Sequence, residues 1–175
     1  MTTPQTLRLR MVIGILALAG LFVALYLALY ETQLSDSLAC PLGGQQCETV
    51  NTSSYVNMVG IPIGVLGVIG YSLILVVDLG WTIRRRLAGD GSPRRPRWAQ
   101  KTPWAYSILA AIPVGLVLIG LTGFGFLFSM FLTYLELFVI RAICTWCIIS
   151  AGIMTVLLGL ALAGWFAERE KNADE

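Results

Sequence analysis

Residues 142–167 read AICTWCIISAGIMTVLLGLALAGWFA, twenty-six residues without a charge. About 20 apolar residues, rising 1.5 Å each, cross the roughly 30 Å hydrocarbon core of a bilayer, so this stretch is long enough to span a membrane as one helix. Inside lipid a chain satisfies its own backbone N–H and C=O groups only as a helix or a closed barrel, and an unbroken apolar run without strict alternation selects the helix. Trp165 stands near its end, and the charged run Glu168-Arg169-Glu170-Lys171 closes it.

Working outward, three more runs of the same kind appear. Met11 to Tyr30 is uncharged for twenty residues, Val59 to Val77 for nineteen, and Trp104 to Leu135 for thirty-two. The last is too long for one untilted helix, so it reads as a span followed by an outer connecting segment, with Pro113 as a candidate kink. The expected spans are about 11–30, 59–80, 106–128 and 144–166. With 57% hydrophobic and 13% charged residues in 175, the chain is far from a soluble domain. The expectation is an all-α integral membrane protein: a four-transmembrane-helix bundle forming one domain over 1–175. The chain has no histidine, which excludes histidine-based triads and most catalytic zinc sites from this chain alone.

Charge orients the bundle. Of twelve basic residues, Arg8 and Arg10 precede the first span, seven lie between Arg84 and Lys101, and Arg169 and Lys171 follow the last; only Arg141 falls on the other side. Glu31 to Ile61 holds no Lys or Arg but carries Glu31, Asp36 and Glu48. The positive-inside rule therefore places both termini and the Arg-rich loop in the cytoplasm, in the inner (plasma) membrane of a cell. Trp81, Trp104 and Trp165 fall at inner-boundary positions and Trp146 near the outer boundary, as an aromatic belt requires. The Arg-rich loop reads as a topology-fixing cytoplasmic loop ahead of a site for anionic lipid head groups or nucleic acid. The first span is too long for a usual signal-peptide core and reads as a retained anchor.

This topology puts all four cysteines on the outer, oxidising side, where thiol pairs cycle as disulfides. Cys144-Thr145-Trp146-Cys147 is a C-x-x-C at a helix start; residues three apart share a helix face, which brings the sulfurs within bonding reach. The unpaired N–H groups and dipole of a helix N-terminus favour negative charge there, making one thiol a better nucleophile or leaving group. Arg141 adds positive charge nearby, or else pairs with Glu136 or snorkels to the interface. Cys40-Pro-Leu-Gly-Gly-Gln-Gln-Cys47 instead reads as a mobile, polar extracytoplasmic first loop, suited to carrying a disulfide between a donor and an acceptor. A zinc site built from all four cysteines fits these spacings poorly. Permanent disulfides, as in a non-enzymatic tetraspan protein, do not account for a C-x-x-C at a membrane helix start.

The outer-loop pair, Ser53 six residues after Cys47, Gly60-Ile61-Pro62 opening a span, and Ala142-Ile143-Cys144-Thr145-Trp146-Cys147 together resemble prokaryotic members of the vitamin K epoxide reductase family, over roughly residues 10–166. The resemblance implies a four-helix bundle around a quinone. It implies that Cys40 exchanges with a thioredoxin-like, disulfide-forming partner, Cys47 attacks Cys144, Cys147 faces the quinone, and Ser53 hydrogen-bonds near a quinone carbonyl. Ser53 and Ser54, beside Asn51 and Thr52, also read as caps of a short helix. The human-type enzymes carry an intramembrane Asn and a Tyr four residues past the last cysteine; here that position is Ala151 and the apolar stretch of span two has no Asn. Plain quinone reduction, with ubiquinone or menaquinone as acceptor and without metal or flavin, is thus expected ahead of epoxide chemistry. Many family members carry a fused thioredoxin-like domain; this chain stops at Glu175, so the expected partner is a separate extracytoplasmic protein. A dithiol becoming a disulfide gives up the two electrons and two protons that a quinone takes. The disulfide-bond oxidoreductase B family runs the same chemistry with the positions of its two cysteine pairs reversed.

Overall fold

The computed structural model describes residues 4–32, 46–51, 57–58, 61–89 and 114–173. Helix α1 runs Pro4–Glu31, α2 is the short Gln46–Asn51, α3 is Ile63–Gly89, α4 is Val114–Tyr134 and α5 is Thr145–Ala173. A π-helical turn, Leu135–Ile140, continues α4. Two-residue strands β1, Asn57–Met58, and β2, Ile61–Pro62, pair antiparallel with Asn57 opposite Pro62. Among the described residues, four helical stretches are long and apolar enough to cross a membrane: Arg8–Glu31, Ile63–Ile83, Val114–Ile140 and Thr145–Ala167.

The third stretch departs from the sequence reading. Residues 129–140, expected as an outer connecting segment, continue the helix to Tyr134 and then the π turn to Ile140. The segment is uncharged apart from Glu136 and mostly apolar, and a helix satisfies its backbone where a connecting loop in lipid would not. Pro113 and Trp104 lie outside the described residues.

Two helix pairs, α1 with α3 and α4 with α5, make the closest contacts, and α1 also packs on α5. Apolar side chains gain little from association when the surrounding solvent is itself lipid, so close approach depends on small residues. Ala17, Ala24 and Ala28 on α1 are buried, and the Tyr71 ring from α3 abuts Gly20 so closely that a methyl group there has no room. Ile13, Ala17, Ala24, Tyr71, Ile74, Leu118, Met154, Leu157 and Ala161 form the central core. Thr82, Thr122, Thr133 and Thr155 each donate their hydroxyl to the carbonyl four residues earlier, at 2.7–2.9 Å, so each is satisfied on its own helix.

The two ends of the bundle are tied differently. Near the start of α1, Arg10 forms an ion pair with Asp78 of α3 at 3.3 Å, both side chains buried, and its guanidinium lies 4.4 Å from the Trp81 ring centre. Arg169 sits 5.1 Å over Trp165, a second Arg–Trp contact at the end where the sequence places the basic residues. At the other end Glu31 closes α1 and its Oε2 accepts the Gly64 N–H, in the first turn of α3, at 2.7 Å. A carboxyl group there satisfies an N–H that the helix itself leaves without a partner.

Candidate functional site

The C-x-x-C occupies the first turn of α5. Cys144 immediately precedes the helix, in the N-cap position, and Cys147 is its third residue. Cys144 Sγ accepts the Cys147 N–H at 3.4 Å, so the sulfur takes the place that a Ser or Asp oxygen usually holds at a helix start. The N–H of Cys144 is donated to Glu136 Oε2 at 3.2 Å. In an ordinary capping box that acceptor stands three residues after the cap. Here it comes from eight residues before it, out of the π turn.

The backbone of that turn holds the approach to Cys144. Both the Arg141 and Ala142 N–H groups point to the Glu136 carbonyl, the latter at 3.1 Å. Arg141 takes φ 57, the left-handed conformation, which reverses the chain at the end of the turn. The Arg141 side chain is exposed, and the Glu136 carboxyl group goes to the Cys144 backbone instead of the guanidinium, so the pairing considered for these two residues runs through their backbones.

Cys47, expected on a mobile, water-facing loop, lies on α2 and is 0% exposed, as is Cys144. The two belong to one buried cluster with Val50 and Ala142, against which Ile63, Ile140, Trp146 and Cys147 pack. The polar look of the Cys40–Cys47 segment hides this because Cys47 and Val50, three apart, form the apolar side of a single helical turn. Cys47 is disulfide-bonded, whereas Cys144 and Cys147 are thiols. Trp146 packs on Tyr26 of α1, ring centres 5.3 Å apart. Cys40 and Ser53 lie outside the described residues.

Cys147, besides packing on that cluster, lines a cavity of about 410 Å³ bounded by α1, α3, α4 and α5. Such a volume falls within the roughly 300–1,000 Å³ typical of small-molecule sites. Its walls are mostly apolar: Leu27, Leu66, Leu121, Phe128 and Met154 among others. Gly64, Gly67 and Gly70 lie along its α3 wall, three residues apart; at Gly64 and Gly67 a side chain would run into Ala28 and Ala24 of α1, and at Gly70 the space is open. Ile69, Leu73 and Phe124 line it too and are also exposed, Phe124 to 73%, so the cavity opens on the apolar flank of the bundle between α3 and α4. Its polar contribution includes Ser150, one helical turn beyond Cys147, and Tyr71, whose hydroxyl lies 2.9 Å from Ser150 Oγ and donates to the Ser150 carbonyl at 3.1 Å.

The sequence reading identified the sulfurs but not Glu136, Tyr71 or Ser150. Glu136 had a signal: it is a lone carboxyl group in an apolar stretch, eight residues before the C-x-x-C, and an ionisable residue within a span marks a functional position. Tyr71 and Ser150 had none beyond being polar in apolar helices.

One sulfur pair at a membrane helix start, a third cysteine packed against it, and an apolar cavity lined by the last residue of the pair make a membrane thiol centre. Residues 11–162 match the Vitamin K epoxide reductase family, a match running from the first span into the fourth. The chain therefore belongs to the vitamin K epoxide reductase family and is a multi-pass membrane oxidoreductase.

Proposed function

We propose that this protein is a quinone-dependent thiol oxidase that supports disulfide-bond formation. The observation that carries the reading is the different placement of the two C-x-x-C residues: Cys144 is fully buried in the cluster with Cys47, and Cys147, packed on that cluster, is the one that also lines the apolar cavity. One sulfur is placed to receive electrons from Cys47, the other to pass them on.

Electrons enter from the dithiol of a thioredoxin-like extracytoplasmic protein, whose thiolate attacks the Cys40–Cys47 disulfide. Cys47 is buried and exchange needs access to the attacked sulfur, so the first attack falls to Cys40. The partner leaves as a disulfide, and Cys40 and Cys47 become thiols. Cys47 then attacks Cys144 of an oxidised Cys144–Cys147 pair, releasing Cys147; Cys40 closes on Cys47, releasing Cys144. The Cys144–Cys147 dithiol finally returns to a disulfide as its two electrons and two protons convert a quinone to a quinol. The apolar walls fit a quinone ring and its lipid tail, the flank opening gives entry from the bilayer, and the Tyr71–Ser150 hydroxyls are the polar groups that orient a carbonyl. Ser53 is a further candidate contact. The distribution of basic residues supports an inner-membrane orientation with both termini in the cytoplasm and the cysteines outside. Ubiquinone and menaquinone both suit such a cavity. Epoxide reduction is the second reading, favoured by family membership alone.

The test is quinol formation followed spectroscopically with purified protein, a reduced thioredoxin-like protein and a soluble quinone. Wild type should oxidise the thiol only when quinone is present, and Cys147→Ser should accumulate a Cys47–Cys144 mixed disulfide. Quinone-independent oxidation, or an unimpaired Cys147→Ser variant, overturns the reading.

A further inference from the structure

Glu136 is a carboxyl group inside a membrane-spanning helix, only 4% exposed. Such groups are expensive to bury and concentrate where protons, ions or substrates move. The other two carboxyl groups held within the described spans have evident structural partners: Asp78 has the Arg10 guanidinium, and Glu31 has the Gly64 N–H. Glu136 accepts the Cys144 N–H, and its second hydrogen-bonding neighbour is the Cys147 thiol. It therefore reaches both residues of the C-x-x-C from outside that motif. The turn that carries it is π-helical, a local widening that recurs at functional sites.

We propose that Glu136 is the proton carrier of Cys147, and that its bond to the Cys144 backbone holds it in place for that task. The proposal deepens the function given above and rests on it for the electron acceptor. When the Cys144–Cys147 dithiol is oxidised, the S–S bond forms, two electrons pass to the quinone, and two thiol protons must leave. Glu136 takes the proton of Cys147 and hands it toward the cavity, where the quinone becomes quinol. When Cys47 attacks Cys144, the Cys144–Cys147 bond breaks, Cys147 departs with the electron pair of that bond, and Glu136, recharged with the proton that the attacking Cys47 thiol gives up, passes it to Cys147. The carboxyl group ends each cycle as it began.

The test uses the full chain in lipid nanodiscs. Glu136→Gln keeps an oxygen able to accept the Cys144 N–H but cannot carry a proton. It should lower kcat by about 10²-fold, the lower end for lost general acid–base catalysis, with KM for a soluble quinone unchanged. Glu136→Asp, which retains the carboxyl group, should recover part of the loss. Wild-type kcat in the Gln variant overturns the proposal, as does equal loss in both variants with a raised KM, the pattern of a merely structural residue. A second measurement needs neither variant nor quinone: infrared difference spectra of wild type, with the C-x-x-C reduced by dithiothreitol and oxidised by diamide. A change in a carboxyl C=O stretch should accompany the cycle; its absence overturns the proton role. Failure of wild type to reduce quinone, with that band present, counts against the electron acceptor and not against Glu136.

Discussion

Near the start of α1, Asp78 is buried to 4% exposure against the Arg10 guanidinium; at the opposite end Glu136 is equally buried, and its partners are a backbone N–H and a thiol. The first carboxyl group is locked by a full opposite charge, with Trp81 stacked beyond it. The second meets no opposite charge among the described residues, only those two hydrogen bonds, on a turn of unusual pitch. A fixed ion pair at the end where the basic residues gather joins α1 to α3 and has no chemistry to do. The other end stays polar without an opposite charge, as the proposed proton and electron transfer requires. Stability and reactivity are thus separated along the membrane normal.

The separation can be broken from either side. The largest effect is expected at the reactive end, where Cys147→Ser should cut quinone-dependent turnover by about 10³-fold or more while leaving thermal unfolding close to wild type. Next comes the inert end. Asp78→Ala strands a buried guanidinium and should cost about 3–5 kcal/mol, and Arg10→Met with Asp78→Leu should regain most of it; unfolding midpoints with kcat measured in parallel would show stability moving and turnover staying. In the middle of the bundle, Gly20→Ala pushes a methyl group into the Tyr71 ring and should destabilise by about 1–3 kcal/mol. The smallest effect is expected at Arg141. Its left-handed backbone costs a non-glycine residue about 1 kcal/mol, partly offset by the chain entropy glycine adds, so Arg141→Gly should raise stability by less than about 1 kcal/mol. A large loss there would mean that the exposed guanidinium contributes something the backbone account omits.

The four spans are legible because uncharged runs of about twenty residues have few other readings, and Arg and Lys mark one side of them. The C-x-x-C is legible because its spacing matches a helix face. The end of the third span is not, since a π turn leaves no periodicity to recognise and Glu136 reads as the place where the apolar run stops. Cys47 reads as mobile because Pro41, Gly43 and Gly44 dominate its neighbourhood, while its burial depends on contacts with Ala142 and Cys144, nearly a hundred residues away. The Arg10–Asp78 pair is within reach: one residue stands just before the first apolar run and the other just after the second, which puts opposite charges at one depth. The cavity arises from a gap between helices. Gly64, Gly67 and Gly70 mark one wall in the sequence, but nothing there says that α4 leaves the space open.

A π turn is also a matter of chain length. It is what an α-helix becomes when one residue is inserted and the helix absorbs it locally, so Leu135–Ile140 holds one residue more than an α-helical path needs. That surplus makes the turn a place where the chain can be shortened without opening the helix. Deleting Val139 would let the segment close into regular α-helix, but it would also move the reversal at Arg141 one residue closer to Glu136 and shorten the return path to Cys144. Glu136 and Cys144 would then no longer face each other. The bundle can do without the extra residue; the contact between carboxyl group and cysteine cannot.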